Sequence, residues 1–145
     1  MNNILLKNSV YKVFSNPNKK DKFTILIIGE SIIEGEMVFK IIDFEGAEIL
    51  NETYPSNVLI SGYIFDEKST SKKLEEYIKK RVSEFFKEDN FSNPALSVNS
   101  KFDSDYSDKK NWTDIKSDSS AVGFYYLIGL ENGCRISYSK KQKQV

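Results

Sequence analysis

The stretch FTILIIGESIIEGEMVFKIID, residues 23–43, decides the fold class of this chain. Its first part, FTILIIGESII, is apolar at consecutive positions, and a strand with two apolar faces is typical of the centre of a sheet. EMVFKIID follows a Glu34-Gly35 turn, and AEILNETY follows a second glycine-containing turn. Glycine supplies the positive φ that tight hairpins require. These segments predict an antiparallel meander in which Ile33 lies opposite Glu36.

Short strands are predicted on either side of the meander, at VYKVFS (10–15) and VLISGYIF (58–65). One long helix should follow over about residues 69–90, because six apolar residues recur at helical spacing. This stripe consists of Leu74, Tyr77, Ile78, Val82, Phe85 and Phe86. Near the end of the chain, Asn132-Gly133 separates AVGFYYLIGL from CRISYSK, which is a strong signal for a hairpin.

Together these elements predict an α+β domain. The expected architecture is a twisted antiparallel sheet of about five to six strands packed against one long amphipathic helix. The expected order is β-meander, helix, polar loop and C-terminal hairpin. We expect residues 1–145 to form a single domain, with a polar excursion at about 98–120 and a short basic C-terminal tail.

Several classes of function are excluded by composition. The chain has no histidine and one cysteine, Cys134, so Ser-His-Asp and Cys-His catalysis are excluded, as is a thiol zinc cluster. Cys134 shares a predicted strand face with Ile136 and Tyr138, which favours a small buried side chain over a nucleophile. No apolar run approaches the roughly 18 residues of a membrane span, and there is no signal-peptide core. We therefore expect a cytoplasmic protein without a cofactor or metal.

Carboxylates remain the candidate chemistry. Glu30, Glu34 and Glu36 surround the first predicted turn. Three interpretations are open for them: a reaction centre, a cation site, or the exposed end of a hairpin. A hydrolase needs two acids held across the scissile bond, one of them with a raised pKa, and turn residues in solvent keep ordinary pKa values. We therefore favour the exposed hairpin, with a basic partner as the next alternative.

Two further motifs have simpler explanations. In DSDYSDKKNWTD, Asp103, Asp105 and Asp114 have calcium-loop spacing, but the loop lacks its glycine and its final glutamate. A polar surface loop is favoured there. The lysines of the tail SKKQKQV lack a phosphate-binding loop or an RNA-binding aromatic signature, and the chain is balanced at 21 basic and 21 acidic residues. Nucleic-acid binding is therefore not expected.

The remaining signals favour a domain that binds another protein. Eight acidic residues against Lys40 give residues 24–66 a net charge of −7, which suits a basic partner. Consecutive aromatic residues in the last hairpin must place at least one ring outside the core, so tyrosine there is a candidate contact. The predicted partner-binding residues are Glu34, Glu36, Glu45, Glu48, Glu52, Tyr125 and Tyr138.

Small inhibitors and toxin-neutralising immunity proteins are the kind of molecule that fits this prediction, because masking a basic active site needs acidic and aromatic surface. The first alternative is a carrier with an apolar pocket lined by Phe39, Ile41, Phe85 and Tyr126. A carboxylate-dependent enzyme is the second alternative. Membrane binding is not expected, and homo-oligomerisation is left open.

Overall fold

The computed structural model describes residues 3–60, 70–92, 113, 115–116, 118, 121–127, 133–138 and 145. Within these residues the chain is α+β, with seven strands, the α-helix α1, two short 3-10 helices and further helical residues at 113 and 115–116. The strands are β1 (Ile4–Asn16), β2 (Lys19–Ile28), β3 (Glu36–Ile42), β4 (Glu48–Pro55), β5 (Phe91–Ser92), β6 (Gly123–Leu127) and β7 (Gly133–Ile136). The α-helix, α1, is Ser71–Glu84, and the 3-10 helices are Ser56–Ile60 and Glu88–Asn90.

The first four strands form the predicted antiparallel meander, in the order β1-β2-β3-β4. Alternation along β2 places Phe23, Ile25 and Ile27 on one face, where all three are fully buried. That face is the core side of the sheet. The neighbouring strand β3 contributes Phe39 opposite Ile25 in register, so the apolar side chains of the two strands meet on the same side.

The first turn of the meander differs from the prediction. β2 ends at Ile28, which pairs with Glu36, and residues 29–35 form a seven-residue loop in place of a two-residue turn. Ile32 and Ile33 leave the sheet and pack against the core from the loop. Apolar residues in a loop that covers a core have the same composition as a strand, which explains the error. Gly35 is needed in the loop, because a Cβ there would overlap the carbonyl oxygens of Ile28 and Ser31.

The second turn, between β3 and β4, matches its sequence signal. Gly46 has φ +89°, a conformation that other residues adopt only at a cost. The Asp43 side chain supports the turn, because its Oδ1 atom accepts hydrogen bonds from the backbone N–H groups of Glu45 at 2.9 Å and Ala47 at 2.8 Å. This carboxylate therefore stabilises the hairpin locally.

The helix α1 begins within the predicted range, at Ser71, and ends before the apolar stripe does. Thr70 is the N-cap, and its Oγ1 accepts a hydrogen bond from Lys73 N at 3.3 Å. Phe85 and Phe86 lie beyond the last helical residue, yet both are buried. Two asparagine amides bind carbonyls at this end: Asn8 Nδ2 donates to Val82 O at 2.9 Å, and Asn90 Nδ2 donates to Phe85 O at 3.2 Å.

The single sheet of five to six strands is not confirmed. The final hairpin, β6 with β7, is present as predicted, but it forms a separate three-stranded sheet with β5, in the order β5-β6-β7. The strand predicted at 58–65 does not begin at residue 58, because residues 58–60 belong to the 3-10 helix Ser56–Ile60. The rest of that segment lies outside the described residues, as does most of the predicted excursion at 98–120.

Aromatic rings join the two sheets and the helix in one core. Phe39 on β3 lies 5.7 Å from Phe124 on β6 and 5.4 Å from Phe85 after the helix, measured between ring centroids. Phe23 on β2 contacts Phe124 at 5.6 Å. Edge-to-face pairs of this kind add to the stability gained from burial alone. No helix in the described part of the chain is long and apolar enough to cross a membrane.

Candidate functional site

One cluster of ionisable side chains spans the two sheets. Glu52 on the edge strand β4 lies opposite Phe39 and so points to the core side of its sheet. Its Oε2 atom accepts a hydrogen bond from the hydroxyl of Tyr54 at 2.9 Å and from the hydroxyl of Tyr126 at 2.7 Å. Tyr126 pairs across β6 and β7 with Cys134. We call Glu52, Tyr54, Tyr126 and Cys134 the Glu52 cluster.

The two tyrosines and the cysteine of this cluster are held in their protonated forms. Burial, followed by the hydrogen bond to Glu52 and its charge, raises the pKa of Tyr126 well above the usual range and that of Tyr54 to about 12. Burial and the Glu52 charge also raise the pKa of Cys134, although a hydrogen bond with Tyr126 acts in the opposite direction. A protonated thiol and neutral phenols are poor nucleophiles. The arrangement therefore suits a bridge between the sheets better than a reaction centre.

This bridge makes a testable prediction at high pH. A tyrosine whose pKa is raised on folding stabilises the fold fully below about pH 10, and that contribution is lost as the pH rises through the folded-state pKa. In the folded chain, absorbance of tyrosinate should therefore show a late fraction near pH 12 and above. Glu52→Gln should shift this late fraction to lower pH, because the neighbouring negative charge is removed. Glu48→Gln, on the same strand, is the control and should leave it in place.

A second feature is the opposite face of the three-stranded sheet, around Tyr125. The Tyr125 side chain is 39% exposed, and the Arg135 guanidinium lies over its ring, 5.9 Å from the centroid. A hollow of about 130 Å³ adjoins the ring, and Arg81, Glu84, Lys87, Asn90 and Leu127 contribute to its wall. We call Tyr125, Arg135 and this hollow the Tyr125 surface.

The cations of the Tyr125 surface already have partners within the chain. Arg81 Nε donates to the carbonyl of Leu59 at 3.1 Å, and its Nη2 atom donates to that of Leu127 at 2.6 Å. Lys87 Nζ lies 3.3 Å from the Glu84 carboxylate. The Arg81 hydrogen bonds hold one side of the hollow and join the helix to β6 and to the first 3-10 helix. The sequence prediction did not include Arg81, although an arginine three residues after Ile78 interrupts the apolar stripe and is the signal that could have found it.

The predicted acidic residues are not brought together at one place. Glu34 and Glu36 are exposed at the end of the four-stranded sheet where the 29–35 loop enters β3. Glu45 and Glu48 are exposed at the opposite end of that sheet, around the β3–β4 turn. Six residues of β3 separate these ends, which corresponds to about 20 Å. Glu52 belongs to neither end, because it is part of the Glu52 cluster. Glu30 is exposed on the same loop as Glu34.

Tyr138 also lies apart from Tyr125. Cys134, Ile136 and Tyr138 are all partly buried against the core, as their predicted common face requires. The Tyr138 ring centroid is 6.5 Å from that of Phe14. Burial and then the charge of Asp43 raise the pKa of Tyr138. Whether either tyrosine contacts a partner stays a prediction, but only Tyr125 presents its ring on the face away from the core.

The residues proposed for an apolar pocket pack against one another. Phe39, Ile41, Phe85 and Tyr126 are all buried, and the Phe39 ring centroid lies 5.1 Å from that of Tyr126 and 5.4 Å from that of Phe85. The calcium-like positions Asp103, Asp105 and Asp114 lie outside the described residues. Elsewhere, within residues that the structure does describe, no three acidic or cysteine side chains converge as a metal site would require.

Comparison with known proteins identifies no relative of this chain. The chain matches no protein-family model, and no curated protein and no solved structure is significantly similar to it.

Proposed function

We propose that this chain is a non-catalytic domain that binds another protein, with the Tyr125 surface as the centre of the contact. The observation that carries the proposal is the exposed Tyr125 ring beneath the Arg135 guanidinium, next to a hollow whose wall is fixed by hydrogen bonds. Tyrosine and arginine are over-represented among the residues that dominate binding energy. An anchor on a paired strand also loses little conformational entropy when it binds.

The Glu52 cluster supports the non-catalytic part of the proposal. Its thiol and both of its phenols have raised pKa values, so they are protonated at neutral pH. The carboxylate that could act as a base already accepts two hydroxyl hydrogen bonds. The alternative of an apolar-ligand carrier receives less support, because the side chains that would line its pocket fill the core themselves.

We assign the exposed glutamates a different role from Tyr125, which is to attract the partner before contact. Glu34, Glu36, Glu45 and Glu48 are exposed at the two ends of the four-stranded sheet, where they would attract a basic partner from a distance. Charges at the rim of an interface change the association rate more than the affinity, whereas a buried anchor changes the dissociation rate. A small inhibitor or an immunity-type protein that masks a basic active site would use both.

The test combines affinity capture from the native source with binding kinetics on the purified partner. We expect Tyr125→Ala to weaken binding by about 30-fold or more, mainly through faster dissociation. Phe44→Ala is the matched control, because Phe44 is also an exposed aromatic side chain, at 41%, but lies in the β3–β4 turn. Binding of the Tyr125 variant within about threefold of the unmodified chain would contradict the proposal, as would failure to capture any specific partner.

Charge reversal tests the exposed glutamates of the four-stranded sheet independently. Glu34→Lys, Glu36→Lys and Glu48→Lys together should slow association and reduce its dependence on salt, with a smaller effect on dissociation. Unchanged association kinetics in this triple variant would remove the basic partner from the proposal and leave the Tyr125 anchor to be judged by its own result.

A further inference from the structure

The strand β1 is an unusually long edge. It runs for 13 residues, from Ile4 to Asn16, and in the described part of the chain it pairs only with β2. Pairing with β2 is regular from Leu6 to Val13, between two register irregularities. A long edge strand has a row of backbone groups available to another strand. β1 also has two of the largest exposed apolar side chains, Ile4 at 59% and Tyr11 at 60% exposure.

Between its two register irregularities, β1 has few of the sequence features that protect an edge strand. There is no proline within β1, and it has two lysines. Lys12 is on the core face, where it forms an ion pair with Glu88 and lies 5.1 Å from the centroid of the Phe91 ring. Its charge is therefore directed away from the edge. Only Lys7, on the outer face, remains as a charged residue that discourages pairing with another strand.

We propose that β1 pairs antiparallel with β1 of a second copy of this chain, about a twofold axis at Ser9. The two four-stranded sheets would then become one continuous sheet of eight strands with no β1 edge left open. In the regular part of the strand, Ser9 of one copy lies opposite Ser9 of the other. Lys7 of each copy lies opposite Tyr11 of the other, so the pair occurs twice.

Side-chain chemistry selects this register. Directly opposite residues must lie on the same sheet face, and Lys7, Ser9 and Tyr11 share the outer face, since Val10 pairs with the core residue Phe23. Centring the pairing on Ser9 places each Lys7 ammonium beside an exposed Tyr11 ring, which is an attractive contact. Centring it one residue away, on Val10 or on Asn8, sets Lys7 opposite Val13 or Ser9 and loses both contacts.

Cysteine crosslinking tests the register directly. In the Cys134→Ser background, Ser9→Cys should give a disulfide-linked dimer, because opposite residues in an antiparallel pair have Cα atoms about 4.5–5.5 Å apart. Lys7→Cys is the matched control, since the two Lys7 positions would be offset by about four residues, or roughly 14 Å. Efficient crosslinking of Ser9→Cys together with none for Lys7→Cys supports the proposal, and any other pattern overturns it.

Sedimentation of the full chain tests the contact without crosslinking. We expect a concentration-dependent dimer, and Tyr11→Lys should raise its dissociation constant by about tenfold or more, because two like-charge pairs replace two attractive ones. Adding Lys7→Glu to Tyr11→Lys should restore dimerisation through two Glu–Lys pairs. The control Phe44→Lys, at an exposed position in the turn, should dimerise normally. A monomer at all concentrations, or a dimer indifferent to Tyr11→Lys, would overturn the proposal.

Discussion

Asp21→Ala is expected to lower the free energy of unfolding by about 3–5 kcal/mol, a large part of the stability of a domain of this size. Asp21 lies at the start of β2 and is fully buried. Its Oδ2 atom accepts a hydrogen bond from Ser15 N at 2.6 Å. Its Oδ1 atom accepts hydrogen bonds from Ser15 Oγ at 3.0 Å and from Phe44 N at 3.1 Å.

The size of this effect follows from the groups that the carboxylate serves. Ser15 lies at the irregular end of β1, and Phe44 lies in the β3–β4 turn, so one side chain fixes two chain segments to β2. Alanine would leave two backbone N–H groups and a hydroxyl, all partly buried, without their acceptor. Each such group that water cannot reach costs about 1–3 kcal/mol.

Urea denaturation followed by circular dichroism measures the Asp21 prediction. Asp89→Ala is the control, since Asp89 is exposed in the second 3-10 helix, and it should change stability by less than about 0.5 kcal/mol. Asp21→Asn should fall between the two, because it keeps one acceptor oxygen but turns an NH₂ group toward a donor. A loss below about 1 kcal/mol for Asp21→Ala would show that water replaces the carboxylate at little cost.

Phe39→Ala should be about as damaging, with a loss of about 3–5 kcal/mol. Phe39 is fully buried, and its ring contacts residues from β2, the end of the helix and β6. Alanine removes contacts to all of these elements at once and leaves a cavity that rigid strands cannot close. The expected loss therefore exceeds the transfer free energy of the ring alone.

The matched substitution for Phe39 is Phe44→Ala, because it removes the same atoms from an exposed site. We expect it to change the free energy of unfolding by less than about 0.5 kcal/mol. Phe39→Leu should recover part of the loss, since it refills some of the volume. Similar losses for Phe39→Ala and Phe44→Ala would mean that the aromatic core does not pack as described.

The parts of the fold that could be predicted depend on local sequence signals. The meander, the helix and the final hairpin each combine an apolar period with a turn or cap, such as Asp43 to Gly46 or Thr70. The end of β2 at Ile28 could not be predicted, because Ile32 and Ile33 are equally apolar in a strand or in a loop over the core. The separation of β6 and β7 into a second sheet depends on contacts far apart in sequence, which no local pattern contains.

The same distinction applies to the sites. The β3–β4 turn followed from its glycine signal, and the outward position of Tyr125 followed from alternation along a strand. The burial of Asp21 did not, because Lys-Lys-Asp-Lys resembles a solvent-exposed turn and its acceptor role depends on Ser15 and Phe44. Glu52 was predicted at the surface, but its two hydrogen bonds depend on how the sheets pack together. The net charge of residues 24–66 likewise did not indicate that the acidic residues lie at two opposite ends of the four-stranded sheet, because a sum over a segment contains no positions.

The strand order of the first sheet has a consequence for synthesis of the chain. Its four strands are joined in sequence by loops of two, seven and five residues, so every pairing closes a short loop and costs little entropy. The residues that cover its apolar face arrive much later, from Ile78 in the helix to Phe124 and Tyr126 in β6. A nascent chain that has released only its first 60 residues therefore has a sheet with one bare apolar side. During this interval on the ribosome the exposed apolar face is most prone to aggregation, and a chaperone that covers it would have its largest effect.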